Sequence, residues 1–207
     1  GRSGAPSSEA SSVTFRDLWG FARDLPAIAW AVSLFAAFEA MILTLLPVYC
    51  LQQGFTAEIA LAMVSTVVVG DALLQLPIGA LADYLSRRTL FAGCAVVLML
   101  SSLAIPLLLD TLLIWPVWVL FGASAGGLFT LSLILIGERY RDDALVRANA
   151  HIAQLWGVGC LIGPLAAGAG SQWISGHALP LLMAIGAFGL VLLLLRQGAF
   201  GPVTEPA

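Results

Sequence analysis

Lysine is missing from this chain: all nine basic residues are arginine, and with twelve acids the formal net charge is −3 over 207 residues. The arginines are scattered and build no basic stripe, which sets nucleic acid aside as a partner. Charge of either sign is scarce at 10%, whereas a water-soluble domain carries about a quarter. Hydrophobic residues make up 60%, with a mean hydropathy of +0.98. A soluble chain of this length would need far more polar residues to cover its core, so the surface is read as facing lipid. Cysteine is limited to Cys50, Cys94 and Cys160, all in or beside apolar runs and without CxxC spacing. That argues against a disulfide framework and a metal site, and no cofactor is expected. No signal peptide is visible at the front, and no initiator methionine. The start reads as a cut within a longer protein, and residues 1–12 as a flexible Ser/Gly/Ala linker.

What is present is a series of long apolar runs. Crossing a bilayer takes about 20 mostly apolar residues, and runs of that kind lie at about 26–50, 57–81, 89–109, 112–137, 148–171 and 178–195. The expected fold is all-α and integral to the membrane, with six transmembrane helices and the lipid bilayer as partner. Predicted breaks fall at Gln52 to Gly54, Asp83 to Arg88, Asp110-Thr111, Arg139 to Arg147 and Ser175 to His177. Every arginine falls before the first run or after the second, fourth and sixth. Short basic loops stay in the cytoplasm, so both ends are expected there. Phe15 to Arg23, with Phe15, Leu18, Trp19 and Ala22 on one side, predicts a short interfacial helix. Trp30, Tyr49, Trp115, Trp118 and Trp173 are expected at span ends, in the headgroup zone.

Polarity divides the helices. The sixth run has no polar side chain between Ala178 and Leu195, and the third has few, so both are expected to face lipid. The first, second, fourth and fifth carry Glu39, Asp71, Gln75, Ser124, Thr130, Asn149 and Gln154, and are expected to form an inner wall. At about 1.5 Å per residue, Glu39 lies about 20 Å and Asp71 about 18 Å from the arginine-bearing end, near the midplane. A charged carboxylate there costs roughly 2.5–3.5 kcal/mol, so each must be protonated, paired or in water, and no midplane arginine exists to pair with it. Such acids suit a proton carrier. The plain alternative is a protonated acid hydrogen-bonded for packing only. Gln75, one turn from Asp71, could complete a polar site.

The second run ends Gly79-Ala80-Leu81-Ala82-Asp83-Tyr84-Leu85-Ser86-Arg87-Arg88. It reads as a charged latch: the glycine admits a neighbouring helix, Asp83 caps or attracts a helix N-terminus, and Arg87 and Arg88 stay cytoplasmic. An ordinary basic loop would look similar. This segment resembles the G-x-x-x-D-x-x-G-R-R/K loop signature of the major facilitator superfamily, with Ser86 in place of the second glycine. Leu76-Pro77-Ile78-Gly79, Gly122 to Gly127, and Gly159-x-x-x-Gly163-Pro164 add to the likeness. Together they resemble the C-terminal half of bacterial inner-membrane transporters of the YcaD type, over roughly residues 26–196.

The resemblance implies a twelve-helix transporter of two six-helix halves with a cavity between them. The N-terminal half of that transporter, a small-molecule substrate and protons would be its partners, and no enzymatic activity is expected. Residues 1–25 would then be a linker and interfacial segment ending a central cytoplasmic loop, 26–196 the six-helix domain, and 197–207 a cytoplasmic tail. Glu138, Arg139 and Arg141 are candidates for an inner gate, against the commoner reading of solvated loop charges. Gly159, Gly163 and Pro164 are expected to shape the fifth helix. His151 is a minor pH-sensing candidate, and His177 is expected in an outer loop. Two other classes stand beside transport. One is a self-associating, non-transporting six-helix module. The other is a rhomboid-like intramembrane serine protease at Gly122-Ala123-Ser124-Ala125-Gly126, against which the sixth helix offers no histidine base.

Overall fold

The computed structural model describes residues 15–173 and 176–198; the expected linker over 1–12, Ser175 in the last turn and the tail beyond 198 lie outside the described residues. The described chain is a bundle of helices: α1 (Phe15–Asp24), α2 (Pro26–Thr44), α3 (Leu46–Gln52), α4 (Ala57–Leu81), α5 (Arg87–Leu108), α6 (Ile114–Arg139), α7 (Asp142–Trp173) and α8 (Ala178–Arg196). Six of them, α2 and α4 to α8, are long and apolar enough to cross a membrane.

The first span breaks in two at Leu45, between α2 and α3. Pro47 stands at the start of α3, where its missing N–H and its ring withdraw support from the preceding turn. The fifth span starts earlier than its polarity suggests, because Arg139 to Arg147 is mostly helix and only Tyr140 and Arg141 separate α6 from α7. Asp142 and Asp143 occupy the first turn of α7, where acids suit the positive end of the helix dipole. Asp142 itself has a φ of 47°, in the left-handed region that Asp enters more readily than most residues. The turn after α4 closes through Leu81 and Ser86, whose hydroxyl accepts from the Thr89 N–H at 3.1 Å and caps α5.

Packing follows two close pairs, α4 with α6 and α2 with α7, with α5 joining α6 to α8 and α2 touching α8. Numbering the spans one to six, exchange of one with four, two with five and three with six maps each of these contacts onto another or onto itself. That exchange among the main contacts is the pattern an internal repeat of three helices would give. Lipid tails are as apolar as leucine side chains, so burial alone does not hold such pairs together; close backbone approach does. A Cβ on Gly70 of α4 would lie 2.8 Å from Val119 Cα of α6, and one on Gly163 of α7 would lie 2.7 Å from Ala37 Cα of α2.

Some expected positions change. Trp118 is wholly buried beside Phe121 in the core, because it faces inward from the most enclosed span, so its ring does not face headgroups. Trp30 donates from Nε1 to the Gly186 carbonyl of α8 at 2.9 Å. On α1 it is Phe21 that is buried, stacked on His151 of α7, while Trp19 remains exposed. At the end opposite the arginines, the Tyr49 hydroxyl and His177 Nδ1 share a hydrogen bond of 2.9 Å, so His177 is tied to the end of the first span.

Candidate functional site

Glu39 projects from α2, and Asp71 and Gln75 from α4, all three half-buried. One helical turn separates Asp71 from Gln75, and the Gln75 amide donates from Nε2 to Asp71 Oδ1 at 2.8 Å. The Asp71 carboxyl lies over Gly126 of α6. A Cβ there would stand 2.9 Å from both Asp71 Cγ and Gln75 Nε2, so the missing side chain makes the room the polar pair occupies. Glu39 on α2, which packs on α7 and touches α4, brings a second carboxyl to this region. The Cys160 thiol of α7 points to the Ala36 carbonyl at 3.6 Å, less than one turn before Glu39. Two carboxyls on different helices thus share one polar patch with a neutral amide, far from any arginine in sequence.

Sequence reasoning did not find the aromatic cluster beside this patch. Phe35 of α2 stacks on Phe129 of α6 with centroids 4.9 Å apart, and Trp156 of α7 meets both edge-on at 5.4 and 5.0 Å. Phe38 meets Phe121 edge-on at 5.1 Å. Phe35 and Trp156 each lie four residues before a member of the polar patch, Glu39 and Cys160 respectively. That i to i+4 spacing is the signal that would have pointed to them.

At the arginine-bearing end, Arg87 in the first turn of α5 forms an ion pair with Glu138 in the last turn of α6. The fold therefore joins one residue of the loop signature to one of the gate candidates. Arg88 and Arg139 meet around a shared cavity, whereas Arg141 lies in the short break before α7. Two expectations for the latch change. Ser86, not Asp83, caps α5, because its hydroxyl stands at the position that reaches the Thr89 N–H, while Asp83 stays exposed in the turn. Gly79 has nothing within 4 Å of where its Cβ would be, so among the described residues it admits no neighbouring helix. The close approaches on α4 are at Gly70 and opposite Gly122 and Gly126.

Gly159 and Gly163 instead seat α7 on Ser33, Ala36 and Ala37 of α2. Pro164 lies within α7, which continues to Trp173. Ser124 is buried and donates its hydroxyl to the Phe121 carbonyl of its own helix, as helix packing requires. His151 sits on α7 with Nδ1 3.4 Å from Gln154 Oε1.

Comparison with known proteins agrees with the architecture. The family model for the Major Facilitator Superfamily matches residues 28–207. Over 159 residues the chain is 28% identical to proteins named "Uncharacterized MFS-type transporter YcaD" from Salmonella paratyphi B, Salmonella newport and Salmonella heidelberg. Each match covers 76% of this chain and 41% of the relative, so the chain spans about two fifths of the length of these curated relatives. With six apolar helices and a family match over most of its length, the chain is an integral membrane protein and belongs to the major facilitator superfamily.

Proposed function

We propose that this chain is the C-terminal six-helix half of a secondary active transporter that exports a small organic solute in exchange for protons across a bacterial inner membrane, with both ends in the cytoplasm. The observation that carries the reading is the hydrogen-bonded Asp71–Gln75 pair over Gly126, with Glu39 on the neighbouring α2. The Gln75 amide holds one oxygen of Asp71 and leaves the other open to a proton, and Glu39 on α2 supplies a second carboxyl. Beside them, the half-buried Phe129 and Trp156 of the aromatic cluster offer apolar surface to an organic solute. Glu39 and Asp71 carry the proton, and Gln75 positions Asp71.

Transport is favoured over the enzymatic reading by two observations. Ser124 is turned into its own helix, and the relatives are named as transporters. By analogy with two-halved transporters, the N-terminal half closes the other side of the cavity, and the Arg87–Glu138 pair works at the cytoplasmic gate.

The test joins this segment to the rest of its chain, reconstitutes the whole in liposomes, and records proton flux driven by each of a panel of small organic solutes. Glu39→Gln and Asp71→Asn are expected to abolish coupled flux while the protein remains folded. Unchanged flux in both variants would make these acids structural and place coupling elsewhere.

A further inference from the structure

Away from the carboxyl patch, at the arginine-bearing end, a cavity of about 470 Å³ opens between the starts of α2 and α5 and the ends of α6 and α8. Arg88, Arg139, Asp24 and Gln197 bring polar groups to it, and the half-buried Pro26 and Leu135 give it an apolar wall. Glu138 also borders the cavity but is already paired with Arg87. Among the described residues Arg88, Arg139 and Asp24 form no ion pair. Two cations against one acid leave a single positive charge unbalanced.

We infer that this cavity is a binding site for an anionic phospholipid with one phosphodiester charge, of the phosphatidylglycerol type. Its phosphate lies between Arg88 and Arg139, and the start of an acyl chain runs along Pro26 and Leu135. Guanidinium groups are suited to phosphate oxygens, which they bind through two parallel N–H donors. One phosphodiester neutralises the residual charge, and Gln197 can hydrogen-bond a headgroup hydroxyl. Two features favour a lipid over a free anion. Half of the site is apolar. It also lies at the ends of spans, where the bilayer surface must be. Basic pockets between membrane helices at that level are known seats for lipid headgroups.

The experiment is native mass spectrometry of the delipidated, full-length protein, titrated separately with phosphatidylglycerol, phosphatidylcholine and inorganic phosphate. Phosphatidylglycerol is expected to be retained in preference to phosphatidylcholine. Loss of Arg88 or Arg139 to glutamine should weaken that retention roughly fivefold each, while Arg88→Lys with Arg139→Lys, which keeps the charges but loses the paired donors, should weaken it less than the double glutamine variant. Asp24→Asn removes the one unpaired acid and should strengthen binding, a gain that a misfolded protein cannot produce. Equal retention of the two lipids, no gain in Asp24→Asn, or displacement of the lipid by millimolar phosphate would each overturn the proposal; the last would mark a free-anion site instead.

Discussion

Single glycines set the distances on which the polar patch depends, and they do so in two different ways. A Cβ on Gly122 would meet backbone atoms of α4, standing 3.0 Å from the Asp71 nitrogen and from the Val67 carbonyl carbon. Backbone cannot step aside without moving the helix. At Gly126 the obstacle is the end of two side chains, Asp71 and Gln75, which can turn away. Gly122→Ala is therefore expected to destabilise the α4–α6 pair by about 1–3 kcal/mol, the usual range for overpacking. Gly126→Ala should leave thermal stability nearly intact and remove transport by displacing the Asp71 carboxyl. Thermal melting in detergent and flux in liposomes separate the two: loss of stability in both variants would mean that Asp71 is as fixed as the backbone.

The same residues show what a sequence can disclose. Glu39 and Asp71 were legible because an acid in an apolar run is costly, and Gln75 because it lies one turn from Asp71. Gly126 was not, since a small residue in a membrane helix reads only as a packing site, and which atom it faces is decided by another helix. The aromatic cluster stayed hidden for a related reason. Phenylalanine and tryptophan in an apolar run look the same whether they face lipid or one another.

At the scale of elements, six spans could be read from hydropathy, while their ends were set by local chemistry that hydropathy does not weigh. Ser86 is the clearest case. It departs from the loop signature, yet a serine N-cap is worth roughly 1 kcal/mol over alanine and differs from glycine by only a few tenths. The departure therefore costs the fold nothing and fixes where α5 begins. Arg87 then enters the first turn of α5 and faces Glu138 in the last turn of α6. Each charge opposes the dipole of its own helix, at about 0.3–1 kcal/mol apiece. The pair is partly exposed, with the two side chains at 30% and 49% accessibility, and so returns less than about 1 kcal/mol. These magnitudes nearly cancel, which means that the arrangement is not there to stabilise the bundle. Either single reversal, Arg87→Glu or Glu138→Arg, is expected to impair transport with little change in melting temperature. The double reversal restores the pair with both dipoles now favourable, and should melt at or above the wild-type temperature with transport recovered. A double reversal that is stable but inactive would mean that the signs of these charges are read by something outside this chain.

Considered whole, the molecule is unevenly enclosed. The fourth span, α6, is the most buried, whereas α4 and α7 expose the greatest share of their apolar length. They are related by the internal exchange of spans; α4 carries Asp71 and Gln75, and α7 carries Cys160. Leu76 on α4 is 81% exposed and Leu161 on α7 is 65% exposed. The third and sixth spans, which polarity assigned to lipid, are each about half enclosed, α5 against α6 and α8. If the N-terminal half completes the cavity, the outer faces of α4 and α7 meet it, and the outer face of α5, including Leu107 at 80% exposure, meets lipid. The two halves produced as separate chains should then co-purify, and Leu76→Gln with Leu161→Gln should weaken that association, because each buries an amide without a partner against an apolar neighbour. Leu107→Gln should leave it unchanged, since a residue near a span end can reach the headgroup region. Separation of the halves by Leu107→Gln alone would reverse the assignment of faces. Self-association of this chain through Leu76 and Leu161, with no uptake of the N-terminal half, would make it a six-helix module that pairs with itself.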